Sequence, residues 1–316
     1  MRKNIKITIA IPAYKDIFLK EAIDSIFNQT YSNYEIIIVN DASPYNISQI
    51  ISQYNDERLF YSINEQNCGA KDVVDNWNIC LSKSNGEYLL CMGDDDKLKD
   101  NCLQDFVDLI QQYPDVDLFH SRTEIIDDNS NYVETLDECP EWESVLSFIY
   151  TFKDSGLGSY LYKVSTLRKL GGFYKLPYGW SSDFITAFMV ADKHGLVHTK
   201  EPGFQYRCNC HSISHDTKSI EYKIMANLKA CEWINLFVAE KKVDNNMDSN
   251  LRDIIPSHIR NLMNRKNDDL IEFDIRKNFF NKSLFWLFYK GNFKISKTRV
   301  IKCILKSIKY KYRIKS

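Results

Sequence analysis

The sequence predicts an α/β domain built on a mostly parallel sheet, followed by a helical extension. Two observations indicate this. Strand and helix patterns alternate through the first half, and from about residue 227 only helical patterns remain. Strand, helix and strand in repetition are typical of parallel sheets, because each crossover needs a connecting helix. We expect a first domain over residues 1–225 and a helical extension over residues 226–316.

Apolar runs mark the individual elements. Alternating isoleucines over residues 5–11 indicate the first strand, and the helical spacing of apolar residues over 19–27 indicates the first helix. The runs at residues 35–39 and 88–92 are nearly all apolar, which suits strands that are buried on both faces. These runs predict the centre of the sheet.

Composition excludes several classes of protein. Hydrophobic residues make up 44% of the 316 residues and charged residues 26%, which excludes wholesale disorder and a fibrous repeat. The longest uninterrupted apolar run, residues 284–289, is far shorter than the ~20 residues that span a bilayer. The N-terminus lacks a signal-peptide pattern, and the nine scattered cysteines indicate reduced thiols. We therefore expect a cytoplasmic protein.

Polar clusters follow three of the predicted strands. Residues 12–14 follow the first strand, Asn40 and Asp41 follow the next, and Asp94, Asp95 and Asp96 follow a third. Ligands of such sheets bind outside the carboxyl ends of the strands, so these clusters predict a nucleotide site. The absence of GxGxxG and Walker A patterns argues against a dinucleotide dehydrogenase and a P-loop NTPase.

The run of three aspartates admits two interpretations. It fits an ordinary acidic turn or helix N-terminus, where the helix dipole favours a carboxylate. It also fits a site for a hard divalent cation, which keeps water ligands and takes others from substrate phosphates. A metal bound in that way would stabilise a diphosphate leaving group.

Seven stretches resemble family 2 glycosyltransferases of the GT-A fold, in the same order and at similar spacing, over roughly residues 4–215. They are IAIPAY at 9–14, AIDSIFNQTY at 22–31, EIIIVNDAS at 35–43, NCG at 67–69 with Asn78 and GEY at 86–88, GDDD at 93–96, GGF at 171–173, and SD at 182–183. The resemblance implies a Rossmann-like sheet flanked by helices, which binds a nucleotide diphosphate sugar.

The resemblance also implies roles for individual residues. The implied nucleotide-sugar site consists of Pro12, Ala13, Tyr14, Asp41, Asn67, Gly69, Asp94 and Asp95. Within it, Asp41 would accept a hydrogen bond from the base, Asp94 would contact the ribose, and Asp95 would hold Mn²⁺ or Mg²⁺. Asp96 is a second candidate metal ligand, because Asp94-x-Asp96 also fits a metal-binding pair. Many relatives carry an acid at the place of Gly93.

Asp183 matches the family's general base, which removes the proton of the acceptor hydroxyl. The residues alone fit an ordinary helix cap or first-turn acid better than a catalytic base. Ser182 stands where many relatives carry Glu, which removes one contact to the acceptor. Gly172 would let the backbone approach the acceptor, and Trp180 would either stack on a sugar or pack in the core.

A cysteine- and histidine-containing segment follows the last predicted strand. Cys208, Cys210, His211 and His215 superficially suggest zinc, but no second cysteine pair lies nearby. We expect a loop that closes over the diphosphate, with Arg207, His211 or His215 in contact with phosphate or metal. A solvated polar loop is the alternative.

The sequence thus predicts an inverting glycosyltransferase that moves a hexose from a nucleotide sugar, UDP-glucose or UDP-galactose, to a hydroxyl of a glycan. By resemblance, the acceptor is an undecaprenyl-diphosphate-linked glycan of bacterial O-antigen or capsule biosynthesis, with a lipid-linked N-acetylhexosamine as one specific candidate. The alternatives are a nucleotidyltransferase and a non-catalytic binding module. Residues 12–16 lack the glycines that a triphosphate loop needs, and Asp95 and Asp183 are both present.

The net charge of −1 conceals a basic tail, defined here as the residues after Asp274. The tail holds 13 lysines and arginines and no acidic residue, so the first 274 residues carry a net charge of −14. It shows no nucleic-acid-binding motif. Its mixture of basic and aromatic residues predicts peripheral contact with anionic lipid at the inner face of the cytoplasmic membrane. The expected inserting residues are Phe285, Trp286, Phe288 and Tyr289. The alternative is a helix that packs its aromatics on the catalytic domain.

Overall fold

The structure is a computed structural model that describes residues 4–209, 212, 216, 218–243, 246–289 and 295–313. The chain divides into two compact units, residues 1–212 and 213–316. The boundary expected between residues 225 and 226 lies inside the helix Ile220–Ala239, so the second unit begins before that helix.

Among the described residues, the first unit contains one ten-stranded sheet. Its strands are β1 (Ile7–Ala13), β2 (Tyr34–Asn40), β3 (Leu59–Ile63), β4 (Tyr88–Cys91), β5 (Lys97–Leu98), β6 (Leu118–Ile126), β7 (Tyr132–Thr135), β8 (Trp142–Glu143), β9 (Tyr160–Lys163) and β10 (Leu196–Arg207). The strand order is β3-β2-β1-β4-β9-β6-β10-β5, while β7 pairs with β6 and β8 with β10.

Helices connect the strands of this unit, and short 3₁₀ turns lie at 70–72, 157–159 and 177–179. The helices are α1 (Leu19–Phe27), α2 (Ile47–Ile51), α3 (Val73–Lys83), α4 (Cys102–Gln112), α5 (Val145–Thr151), α6 (Val164–Lys169) and α7 (Ser182–Val190). The alternation of strands and helices that the sequence predicts is thus present.

The sheet has a parallel half and a mixed half. Strands β3, β2, β1 and β4 are mutually parallel. Strand β9 then runs antiparallel to both β4 and β6, and β10 runs parallel to β6. Strands β6 and β10 therefore point the same way as β4. As a result, the carboxyl ends of β1, β2, β4 and β10 lie on one edge of the sheet.

The core lies around β1 and β2. All seven residues of β2 are buried, and the isoleucines of β1 pack with those of β2 and with the apolar face of α1. Burying each large aliphatic side chain stabilises the fold by about 1.5–3 kcal/mol. The core therefore holds the ends of these strands in fixed positions.

A close backbone contact sets β4 beside β1. The N–H of Gly86 donates to Thr8 Oγ1 at 2.9 Å, and that hydroxyl donates to Glu35 Oε1 at 2.7 Å. A Cβ on Gly86 would lie 2.6 Å from the backbone nitrogen of Thr8. Position 86 therefore needs glycine for this strand pairing.

The second unit consists of helices in its described parts: α8 (Ile220–Ala239), α9 (Asn246–Lys277), α10 (Phe279–Leu287) and α11 (Lys297–Arg313). Helix α9 contacts the other three, and its buried face includes Ile255, Ile259 and Ile271. None of the helices in the described ranges combines the length and the apolar composition that crossing a bilayer requires.

Candidate active site

The acidic turn that follows β4 is tied directly to the end of β1. Asp94 Oδ2 accepts the backbone N–H groups of Tyr14 and Lys15, both at 2.7 Å. Two charge-assisted hydrogen bonds to one oxygen fix the position of this carboxylate. The structure therefore brings the first and third polar clusters of the sequence together.

Two carboxyl groups of this turn have perturbed pKa values. Burial, and then the charge of Asp95, raise the pKa of Asp94 to about 6. The same two causes raise the pKa of Asp96 well above its ordinary value. Closely spaced carboxylates that are removed from water disfavour ionisation. A cation placed beside them would lower both pKa values.

Gly93 makes room for the aspartates that follow it. A Cβ at position 93 would lie 2.7 Å from Asp95 Oδ1 and 3.0 Å from Asp96 Oδ2. A side chain at this position would therefore require both carboxylates to move. The observed positions of the Asp95 and Asp96 side chains therefore require a glycine at position 93.

Asp95 is partly exposed and contacts a side chain that lies just beyond the end of β10. Its Oδ2 accepts Nδ2 of Asn209 at 2.7 Å, and Asn209 lies two residues after the end of β10. Asn209 could not be predicted from the sequence, because the contact joins segments that are far apart in the chain. Asp95 has the exposure that a ligand contact would need.

Asp96 differs from its two neighbours. Its side chain is buried, and its Oδ1 accepts the backbone N–H of Arg207 at 3.0 Å. The carboxylate therefore joins the end of β4 to the end of β10. This position suits a structural contact better than the metal ligation that the sequence suggested for Asp96.

Arg207 supports the acidic turn from inside the protein. The side chain is fully buried, and its guanidinium donates to the carbonyl oxygens of Asp95 (2.7 Å) and Asp127 (3.0 Å). It also pairs with Glu21 Oε2 at 3.0 Å and lies 4.2 Å from the ring centroid of Phe18. Arg207 is the last residue of a strand and already has protein partners. The sequence suggested that Arg207 contacts phosphate from a closing loop, but the structure places its side chain inside the protein.

Asp41 organises the loop after β3. Its Oδ1 accepts the N–H of Cys68 and Nδ2 of Asn64, both at 2.9 Å, and its carbonyl oxygen accepts Nδ2 of Asn67 at 2.6 Å. Gly69 adopts a φ of +79°, and its N–H donates to Asn67 Oδ1. Asp41, Asn67 and Gly69, which the sequence assigned to one site, thus belong to one hydrogen-bonded unit.

An aromatic pair lies at the end of β1. Tyr14 is 39% exposed, and its ring meets that of Tyr45 edge-on with centroids 5.9 Å apart. Pro12 is partly buried and Ala13 is fully buried, so of these three residues Tyr14 presents most surface to a ligand. Tyr45 was missed from the sequence because it lies in a loop without periodicity.

Asp183 lies in the first turn of α7, partly buried, and its Oδ1 accepts the N–H of Phe184 at 2.9 Å. The chain enters this helix through left-handed backbone at Tyr178, Gly179 and Ser181, with φ values of +62°, +64° and +70°. Such conformations in non-glycine residues are strained and concentrate at functional sites.

Buried polar contacts hold the segment before α7. Ser182 is fully buried, and its Oγ accepts the N–H of Leu176 at 3.1 Å. The neighbouring Trp180 is partly buried. Ser182 therefore stabilises the entry to the helix.

Gly172 adopts a φ of +92°, and a Cβ there would lie 2.3 Å from Asn78 Oδ1. That oxygen accepts the N–H of Phe173 at 2.8 Å. The close approach at Gly172 is thus made by a side chain of α3, which fixes the turn at 171–173.

The sequence also predicted a metal site at the acidic turn and a loop after β10 that closes over the diphosphate. His211, Cys210 and His215 lie outside the described residues. In the part of the chain that the structure describes, no group of three or more His, Cys, Asp or Glu side chains is arranged to hold a metal ion. A metal at the acidic turn would therefore need ligands supplied by substrate or water.

The family model for glycosyl transferase family 2 matches residues 8–173, which is more than half of the chain. The chain belongs to glycosyltransferase family 2.

Curated relatives match part of this region. The putative colanic acid biosynthesis glycosyl transferase WcaA of Escherichia coli is 37% identical over 115 residues, covering 35% of this chain and 40% of that protein. An uncharacterized glycosyltransferase of Rickettsia conorii is 33% identical over 130 residues, covering 40% of this chain. The chain spans only about a fifth of the length of the Rickettsia conorii protein and of a similar one from Rickettsia bellii.

Solved structures resemble nearly the whole chain. TarS of S. aureus, residues 1–349 in complex with UDP-GlcNAc, matches with a TM-score of 0.61 and 16% identity, covering 96% of this chain and 81% of that one. The mannosyltransferase PcManGT of Pyrobaculum calidifontis, in complex with GDP-Man and Mn²⁺, matches with a TM-score of 0.55 and 13% identity, covering 96% and 86%. At these identities the likeness shows the fold, which is GT-A.

Proposed function

We propose that this chain is an inverting glycosyltransferase that moves a hexose from a nucleotide sugar to a hydroxyl of a glycan. The observation that carries the proposal is the acidic turn, where Asp94 is bonded to Tyr14 and Lys15 and Asp95 remains partly exposed. This turn lies on the edge of the sheet where the carboxyl ends of the parallel strands meet, the usual place for a nucleotide.

Asp41 and Tyr14 would bind the nucleotide base. The Asp41 carboxylate already accepts the N–H of Cys68 and Nδ2 of Asn64, and as an acceptor-only group it is suited to a further hydrogen bond from an imide N–H such as that of uracil. The exposed ring of Tyr14 would pack beside the base. UDP-linked sugars are therefore our leading donors, and the resemblance to the family suggests glucose or galactose as the hexose. The nucleotide sugars bound by TarS and by the mannosyltransferase support the class of ligand.

The acidic turn fits a divalent cation, Mn²⁺ or Mg²⁺, held by Asp95. Burial, and then the charge of Asp95, raise the pKa values of Asp94 and Asp96, so a cation beside the turn would favour their ionised forms, and carboxylate oxygens are the ligands that such cations prefer. When bound, the cation would neutralise the charge that develops on the departing diphosphate. Asn209 would orient the Asp95 carboxylate, and Arg207 would hold the backbone beneath it.

Asp183 would act as the general base. As the acceptor oxygen bonds to C1 of the sugar, the bond between C1 and the diphosphate oxygen breaks, and the hydroxyl proton passes to the Asp183 carboxylate. One displacement of this kind inverts the configuration at C1. The hydrogen bond from the N–H of Phe184 to Oδ1 would hold the carboxylate in place.

We propose a lipid-linked acceptor, an undecaprenyl-diphosphate glycan of bacterial O-antigen or capsule biosynthesis, at the inner face of the cytoplasmic membrane. Two observations support it. The putative role of the WcaA relative is in colanic acid biosynthesis, and the tail after Asp274 is strongly basic. The basic tail would place the enzyme beside such an acceptor.

A panel of UDP- and GDP-sugars, assayed for hydrolysis and transfer with and without Mn²⁺, tests the proposal. EDTA and Asp95→Asn should each abolish activity, whereas Asp183→Asn should retain nucleotide binding and lower turnover by about 10²-fold or more. Lys193→Gln, an exposed change on the first unit, is the control. Full activity in EDTA would overturn the role of the metal. Loss of donor affinity with normal turnover in Asp183→Asn would place that residue in the donor site.

A further inference from the structure

A row of exposed apolar side chains runs along α10. Phe280 and Leu284 in α10 and Phe288, the residue directly after the helix, follow one another at intervals of four residues and are 77%, 56% and 69% exposed. Residues four apart share one face of a helix, so these three form a single apolar stripe, with the exposed Phe285 beside it. Folded proteins rarely leave such a contiguous patch in water unless it serves binding.

Polar anchors fix which face of α10 points outward. Trp286 is only 3% exposed, and its Nε1 donates to Asp274 Oδ2 at 2.9 Å. Lys282 pairs with the same oxygen at 3.1 Å. Rotating the helix to bury the apolar stripe would leave the buried Asp274 carboxylate without these partners, which is costly.

These contacts correct two expectations from the sequence. Trp286 packs inward and does not point toward a membrane, because its indole N–H bonds to Asp274. The hydroxyl of Tyr289 donates to Glu221 at 2.9 Å, which also engages it with the protein. The residues available for insertion are therefore those of the apolar stripe together with Phe285.

Helix α11 adds a basic face beside α10. It contacts both α9 and α10, and it buries Val300, Cys303 and Ser307. Its exposed face combines two apolar side chains, Ile301 and Leu305, with four lysines. The lysines are Lys297, Lys302, Lys306 and Lys309. Two acids of α9 pair with basic residues of α11: Asp268 with Arg299 and Glu272 with Lys306.

We propose that the apolar stripe of α10 and the exposed face of α11 dock together on an anionic lipid surface. Apolar side chains would enter the headgroup region while the lysines meet lipid phosphates. Charge favours this partner over a second copy of the chain, because two-fold pairing would bring cationic faces together. The inference deepens the membrane contact proposed above and does not depend on which sugar is transferred.

Co-sedimentation of the full chain with lipid vesicles tests this docking. The protein should bind vesicles of phosphatidylcholine mixed with phosphatidylglycerol, bind phosphatidylcholine alone much less, and be released by high salt. Point variants are preferable to truncation at Asp274, because α9 continues to Lys277 and α11 buries side chains against it.

Two pairs of variants separate the apolar and ionic contributions. Phe280→Ser with Phe288→Ser should weaken vesicle binding by roughly tenfold or more, and Tyr132→Ser, which is 63% exposed in β7, is the matched control. Lys302→Gln with Lys309→Gln should weaken binding by roughly fivefold per cation.

The control for the lysine pair is Lys193→Gln with Lys200→Gln, which removes the same charge from exposed sites of the first unit. Unchanged vesicle binding in this control and weakened binding in the α11 pair would support the proposal.

Three outcomes would overturn the docking proposal: no binding to anionic vesicles, equal binding to neutral ones, or binding that neither α10 nor α11 variants change. A dimer seen by light scattering, dissociated by Phe280→Ser with Phe288→Ser and unable to bind vesicles, would instead assign the stripe to self-association. Nucleotide-sugar hydrolysis without vesicles, measured on the same variants, reports on the catalytic proposal separately.

Discussion

Replacing Arg207 with methionine should destabilise the first unit and loosen the acidic turn. The guanidinium donates to the carbonyl oxygens of Asp95 and Asp127 and to Ser130 Oγ, at 2.7, 3.0 and 3.0 Å. Hydrogen bonds from a charged donor contribute about 1.5–3 kcal/mol each, and this arginine is fully buried. Glu21 is half exposed, so its ion pair adds less than about 1 kcal/mol.

We expect Arg207→Met to lower the free energy of unfolding by about 3–5 kcal/mol in urea titration, the usual cost of removing one partner of a buried charged contact. This is less than the sum of the three bonds, because contacts within one hydrogen-bond network are not additive. Glu21→Gln should cost less than about 1 kcal/mol, because solvent screens that pair. Arg122→Met is the matched control, since Arg122 is partly exposed and donates to one carbonyl oxygen and to Glu138. If Arg207→Met costs no more than Arg122→Met, the guanidinium does not organise the turn.

Three further predictions follow from the glycines and the acidic turn. Gly93→Ala should lower the free energy of unfolding by about 1–3 kcal/mol, because its Cβ would lie 2.7 Å from Asp95 Oδ1; an unchanged urea midpoint would contradict this. Gly172→Ala should cost roughly 2–4 kcal/mol through its φ of +92° and the contact with Asn78, and removing Asn78 as well should restore only part of the loss. The folded pKa of Asp94, about 6, exceeds the ordinary value of 3.8, so folding takes up protons between these values. Stability of the metal-free protein should fall as pH rises from about 4 to about 6, and Asp94→Asn should flatten part of that fall.

Features of the fold that depend on local sequence pattern, such as buried strands and the loops at their ends, could be predicted from the sequence. The continuous apolar run of β2 predicts a strand buried on both faces, and every one of its residues is buried. The position of polar residues at strand ends predicted which loops meet, because parallel strands share one edge. The contact of Asp94 with Tyr14 follows from that topology.

The sequence could not show contacts that form between distant segments. Strand β9 has only four residues, and its antiparallel insertion between β4 and β6 depends on pairing across the chain. The interior position of Arg207 depends in the same way on Glu21 and Asp127. The prediction that Trp286 inserts into lipid was wrong, because aromatic composition does not specify which face of a helix is buried.

The double hydrogen bond on Asp94 gives the protein an internal reporter. The amide protons of Tyr14 and Lys15 both point at one carboxylate oxygen. Amide proton chemical shifts respond to the charge of the acceptor, so protonation of Asp94, or arrival of a cation beside it, should move both resonances together in a ¹⁵N-labelled sample. Slow solvent exchange of the same two amides would measure how often the ends of β1 and β4 separate. Two backbone signals could thus follow the occupancy of the acidic edge without any added label on the ligand.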